Sequence, residues 1–191
     1  MEDLRRWVEY TQKITLPHFK KEPDMEVWFP ARTELQKIIE VCRREQKRQI
    51  RDIKKQAEHI VKWHRIETEI MLFSDGGMRV SELVRANLKE LSKKGLLIRS
   101  SKNEANRNVA LSDKTIEILK DYIKNYRINS DPYALITGRK GRLTTGIIEQ
   151  EIKEAGKKAE IYALHPHVLR HYCATNLLEK GLDIRKLQVY L

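Results

Sequence analysis

The chain has 191 residues, enough for one main domain with a buried core. Apolar residues make up 40%, an ordinary share for a globular protein, while Lys and Arg outnumber Asp and Glu by 38 to 27, a formal net charge of +11. That balance points to a polyanionic partner, nucleic acid before membrane, because no apolar run approaches the roughly 20 residues that span a bilayer. Met1 is followed by charged residues rather than by a secretory apolar segment. The two cysteines, Cys42 and Cys173, lack zinc-ligand spacing and fit a reduced, cytoplasmic setting.

In chain order, residues 1–22 read as a short helix through Leu4 and Val8, then a linker around Pro17 and Pro23. Residues 33–63 read as one long helix or a helix pair. Its middle holds Arg43, Arg44, Lys47, Arg48, Arg51, Lys54 and Lys55, either a solvated face or a ridge that contacts DNA. Helices are expected near 64–74 and 79–88, separated by Ser74, Asp75, Gly76 and Gly77, all strong turn formers. Arg79 follows the turn at once. At a helix start, orphan N–H groups and partial positive charge add to its guanidinium, which suits a phosphate; an ordinary turn with an exposed Arg is the plainer alternative.

Residues 96–98 and 109–111 read as two strands of a hairpin whose polar tip carries Lys102 and Arg107, with a third strand possible. A helix is expected over 113–126 from the spacing of Ile116, Leu119 and Ile123. Leu135 and Ile136 end a buried segment. Gly138 and Gly141 frame a basic loop with Arg139, Lys140 and Arg142, and Thr144 or Thr145 caps a helix running to about Lys158. Pro166 fits the first turn of the next helix and Gly181 its end. On that helix His167, Arg170, His171 and Ala174 share a face, with Leu169, Cys173 and Leu177 opposite. An Arg fork matches phosphate oxygens, and a nearby imidazole moves a proton near neutral pH. A last helix runs from about Asp183.

Taken together, GMRVSEL, the hairpin lysine and HPHVLRH resemble the tyrosine recombinase (phage integrase) family. Arg79 stands 23 residues before Lys102, and Lys102 stands 65 before His167; Ala174, Thr175, Leu177, Leu178 and Gly181 follow the last box. The resemblance covers roughly residues 24–191 and is nearest to Xer-like and viral integrases. It implies a mainly α fold with a small antiparallel β-sheet (α+β), with 1–22 as an N-terminal helix and linker and 23–191 as a catalytic domain. It implies that Arg79 and Arg170 clamp the scissile phosphate, that His167 assists proton transfer, and that Lys102 protonates the leaving 5′ oxygen. Glu82 orients the first Arg and His171 supports the site. The helix after Thr144 and Thr145 lies against the major groove, with Arg139, Lys140 and Arg142 on phosphates and Arg107 on DNA nearby. Neither a metal nor any other cofactor is implied; double-stranded DNA and other protomers, as a tetramer on DNA, are the implied partners.

Two departures qualify this. Ser101 and Asn103 stand where the family has glycines around its Lys. The family's Gly-His pair and Tyr nucleophile are expected after LQVYL, so the nucleophile is expected outside this chain and the domain C-terminally incomplete. Tyr190 reads as helix-end packing and Tyr172 as facing the apolar side. Other readings are a truncated integrase that binds DNA without cutting it, and a helix-turn-helix regulator built from 166–191. A regulator has no use for Arg79 and Lys102. His165, His167, His171 and Cys173 do not match a known zinc site, and Arg170 among them opposes a cation.

Overall fold

The computed structural model describes residues 28–99 and 106–191. The expected helix and linker over 1–22 and the candidate Lys102 lie outside them. The molecule is mainly helical with small antiparallel β elements. Helix α1 spans Arg32–Gln46; its first turn is closed by the Glu34 carboxylate, which accepts from the Ala31 amide at 2.7 Å. Helix α2 spans Ile53–Ser74 and starts at Asp52, whose side chain accepts from the Lys55 amide. The expected pair therefore divides at 47–52, and its second member continues to Ser74 as one helix through the stretch expected to be separate.

The reason lies in burial. From Trp63 to Ser74 nearly every residue of α2 is buried, including Arg65, Glu67 and Glu69. A helix enclosed on all sides shows no apolar stripe. Its neighbours are α1, α5 (Thr145–Lys158) and α6 (Pro166–Glu179). The core between them holds Ile38, Trp63, Ile66, Ile70, Phe73, Ile152 and Leu169.

Helix α3, Val80–Arg85, is shorter than the expected 79–88; Ala86 turns to extended backbone, and a 3-10 turn follows at Leu88–Glu90. Strands β1 (Gly95–Ile98) and β2 (Arg107–Ala110) pair antiparallel, Leu96 opposite Val109. Among the described residues no third strand joins them; a single bridge links Leu91 to Leu96. Helix α4 spans Asp113–Asp121, and a π-helical turn at Tyr122–Tyr126 completes the segment expected as one helix. The basic loop is a two-residue hairpin, β3 (Thr137–Gly138) with β4 (Gly141–Arg142). Helix α5 begins as expected: Thr144 accepts from the Ile147 amide. Helix α6 has Pro166 in its first turn and ends on Gly181 at φ +86°, with the Gly181 and Leu182 amides donating back to Leu178 and Leu177. Helix α7, Ile184–Tyr190, is capped by Asp183. Among the described residues, no helix is long and apolar enough to cross a membrane.

A candidate phosphate-binding site

The turn after α2 sets up the site. Gly76 and Gly77 let the chain reverse, Met78 is driven into the core, and Arg79 emerges as the residue before α3. Gly77 adopts φ +59°, a left-handed conformation that disfavours any side chain. Its added Cβ would meet Leu191 Cδ2 at 2.5 Å and Cys173 Sγ at 3.2 Å. The Cys173 thiol in α6 donates to the Asp75 carbonyl at 3.1 Å, and burial pushes that thiol up to about 11. The turn is tied to α4 as well, since Asp75 accepts from the Ser112 amide and the Thr115 hydroxyl, both at 2.7 Å.

Glu82 organises what this turn presents. Its carboxylate accepts from the Arg79 amide at 2.7 Å and from Arg79 Nη1 at 3.2 Å. It also accepts from Arg107 Nη2 at 2.7 Å and Nε at 3.3 Å, and Arg170 Nη1 lies 4.0 Å away. Burial alone would raise Glu82, but Arg107 and Arg79 hold it below the usual carboxylate range. Three guanidinium groups from α6, β2 and the head of α3 thus converge on one nearly buried carboxylate. Arg170 is pushed down to about 10 by burial and by the positive charges of Arg79 and Arg107. A centre in which cations depress one another favours an anion.

Arg79 is the accessible member, its side chain 43% exposed, against 15% for Arg170 and 14% for Arg107. Arg170 donates to the Gly77 and Leu191 carbonyls, and Arg107 to the Gly77 and Tyr190 carbonyls. Arg107, read from sequence as a hairpin-tip cation, therefore sits inside the cluster. His167 and His171 are both exposed on α6, and the His165 and His167 rings lie 6.1 Å apart. Tyr190 hydrogen-bonds the Ala110 carbonyl at 3.1 Å, and burial pushes its phenol up to about 12.

The second candidate surface is divided. Arg139 pairs with Glu58 at the β3–β4 tip, with Lys140 exposed beside it. Arg142 turns inward to the Val84 carbonyl at 2.6 Å, the Ala86 carbonyl and Asn87 Oδ1. Thr144 spends its hydroxyl on the cap of α5, and Thr145 is exposed in the first turn. Among the described residues, no group of three or more His, Cys, Asp or Glu is arranged to hold a metal.

The model of the Phage integrase family matches residues 31–191. The chain belongs to the phage integrase family. Within it, the tyrosine recombinase XerA of Pyrococcus furiosus is 34% identical over 127 residues, 64% of this chain and 44% of that protein. The tyrosine recombinase XerC of Azotobacter vinelandii is 34% identical over 131 residues, 66% of this chain and 44% of the relative. The match thus spans less than half the length of these relatives. A crystal structure of XerA recombinase superposes with a TM-score of 0.71 at 26% identity, over 90% of this chain and 56% of the other. The lambda integrase catalytic core, at 17% identity, shares the fold with a TM-score of 0.60, over 85% of this chain and 90% of that one. The fold is that of the tyrosine recombinase catalytic domain.

Proposed function

We propose that this protein carries out site-specific DNA recombination, cutting and rejoining strands through a 3′-phosphotyrosyl intermediate. Residues 23–191 form its catalytic domain. The observation that carries the reading is the convergence of Arg79 and Arg170 on Glu82, with Arg79 exposed and Arg170 held in a surplus of positive charge. Phosphoryl transfer depends chiefly on positioning and charge neutralisation, which such a clamp supplies. A tyrosine oxygen attacks the scissile phosphorus, the bond to the 5′ oxygen breaks, and that oxygen takes a proton from Lys102. The reverse step, with a partner strand's 5′ hydroxyl, rejoins the DNA and frees the tyrosine. His167 assists the proton transfers from the exposed face of α6, and His171 supports it.

Arg107 acts as a brace: it shares Glu82 with Arg79 and keeps the carboxylate ionised. The nucleophile is a tyrosine outside residues 1–191. Tyr190 is adjacent to the cluster, but its hydroxyl is bonded to Ala110 and its phenol is raised, the opposite of activation. Double-stranded DNA is the substrate, with further protomers assembling on it as a tetramer. Solved structures of the same fold support DNA and a further protomer as partners, among them the XerH site-specific recombinase bound to its difH substrate and a lambda integrase dimer bound to a core site; the tetramer is what the family resemblance implies.

The test is a nicked suicide duplex offered to the protein at its full natural length. A covalent protein–DNA adduct is expected, and Arg79→Ala or Arg170→Ala should each lower its rate of formation by about 10²–10³. Adduct formation unchanged by both substitutions removes the clamp from the mechanism. An adduct formed by residues 1–191 alone places the nucleophile inside them.

A further inference from the structure

The elbow between α1 and α2 carries a density of charge that the clamp does not use. Residues 43–55 hold seven cations against two acids, Glu45 and Asp52. Both acids are already committed. Glu45 is buried and paired with Arg48 and Lys158, and Asp52 caps α2. Arg43 pairs with Glu67. Arg44, Lys47, Arg51, Lys54 and Lys55 are exposed and make no ion pair among the described residues.

Helix stability accounts for only some of these. Arg44 lies in the last turn of α1, where the helix dipole favours a cation. Lys54 and Lys55 lie in the first turn of α2, where the dipole disfavours a cation; the turn itself holds no acid, and the single carboxylate at this end, the Asp52 cap, faces both of them and Arg51. The elbow is also shaped in advance. Gln56 donates to the Arg48 carbonyl at 2.9 Å and accepts from the Ile50 amide, fixing the connecting backbone. A preorganised loop loses less conformational freedom on binding.

We infer that Arg51, Lys54 and Lys55 form a second DNA-contacting surface, a sequence-independent seat for phosphates distinct from the clamp. The inference rests on DNA being the partner proposed above. The 22 residues of α2 separate the elbow from the Asp75–Gly77 turn by about 33 Å, at ~1.5 Å per residue. That is close to one turn of B-form DNA, roughly 34 Å. The elbow would therefore hold flanking duplex rather than the scissile phosphate, adding affinity without specificity.

The test measures binding of a labelled duplex of arbitrary sequence by the full-length protein across a salt series. For the triple variant R51A/K54A/K55A, the slope of log K against log salt should become shallower by about 2–3, at ~0.9 per phosphate contact. Its thermal unfolding should match the wild type, since all three side chains are exposed. The charge-keeping variant R51K/K54R/K55R should retain the wild-type slope. An unchanged slope in the alanine variant overturns the inference while leaving the cleavage chemistry standing. A slope loss in a protein that forms no covalent adduct supports the elbow and removes the recombinase mechanism instead. Ile53, 86% exposed beside these lysines, makes a membrane the competing partner. Capture of the protein by anionic phospholipid vesicles, lost in the triple variant while duplex binding is unchanged, overturns the inference in that direction.

Discussion

Glu82 is one side chain with three basic dependants, and its removal is the sharpest single-residue probe of the cluster. Glu82→Gln keeps the shape but leaves Arg107 and Arg170 facing each other across a neutral amide. Stripping the counter-charge from a buried ionic group costs about 3 kcal/mol, measurable as a lower urea midpoint at an unchanged slope. The pH dependence has a definite sign. Glu82 is held below the usual carboxylate range, so the unfolded chain binds the proton more readily than the native one. Its contribution is fully present at neutral pH and is lost as pH falls below that range. Glu82→Gln should therefore flatten the acid limb of the stability curve and change little of its slope above it. An acid limb of unchanged steepness would show that Glu82 is not ionised against these arginines.

At the scale of elements, the turn between α2 and α3 gathers contributions from far along the chain: Gly77 receives Arg107 and Arg170, and Asp75 receives Cys173 and Ser112. Gly77→Ala is expected to cost about 2–4 kcal/mol, from the left-handed backbone and from crowding against Cys173 and Leu191. Suicide-substrate cleavage should fall with it, because Arg79 is carried by the same turn; full cleavage and stability in the variant would refute the strained-turn account. This turn was readable in sequence because its signals are local: two glycines, an acid, then an Arg at a helix start. The boundary between α1 and α2 was left open because KRQIRD contains neither Gly nor Pro. The signal that places it is Asp52, an N-cap residue three positions before the amide it accepts from. Arg107 and Arg142 were beyond reach in a different way. Each reaches partners 25 or more residues distant, and strand register together with the packing of α3 decides that, not composition. The buried charges of α2 were likewise hidden: Arg65 and Glu69 share one face and Glu67 lies on the opposite one, and charged residues are rarely enclosed unless paired, so only the packing of α1 and α5 around them reveals it.

Those buried charges matter to the molecule as a whole, because they join its central helix to α5, the helix proposed to meet DNA. Arg65 is spent on Glu151, through Nε at 3.0 Å and a second bond from Nη2, and on the Thr137 carbonyl. Glu69 lies beside this pair, fully buried, 3.9 Å from Arg65 Nε, and among the described residues neither of its carboxylate oxygens accepts a hydrogen bond. One guanidinium does not compensate two carboxylates that are both buried. Burial and the neighbouring Glu151 therefore push Glu69 well above its ordinary range. In its neutral form it can donate to Glu151 and bind α2 to α5 without a second negative charge. The sign is opposite to that of Glu82. Here the native state binds the proton more tightly, so the stabilising linkage is fully present below the unfolded carboxylate range and is lost as pH rises through the native value. Each pH unit across that window costs at most about 1.4 kcal/mol for one proton. Glu69→Gln cannot ionise, so its stability relative to wild type should climb steadily from mildly acidic to neutral pH, with the two proteins closest at the acid end. Urea unfolding at a series of pH values measures this, and parallel curves for the two proteins would mean that Glu69 is ionised in the native core. Because Glu82 acts below the usual carboxylate range and Glu69 above it, the double variant should lose both slopes independently, as expected for sites that share no partner.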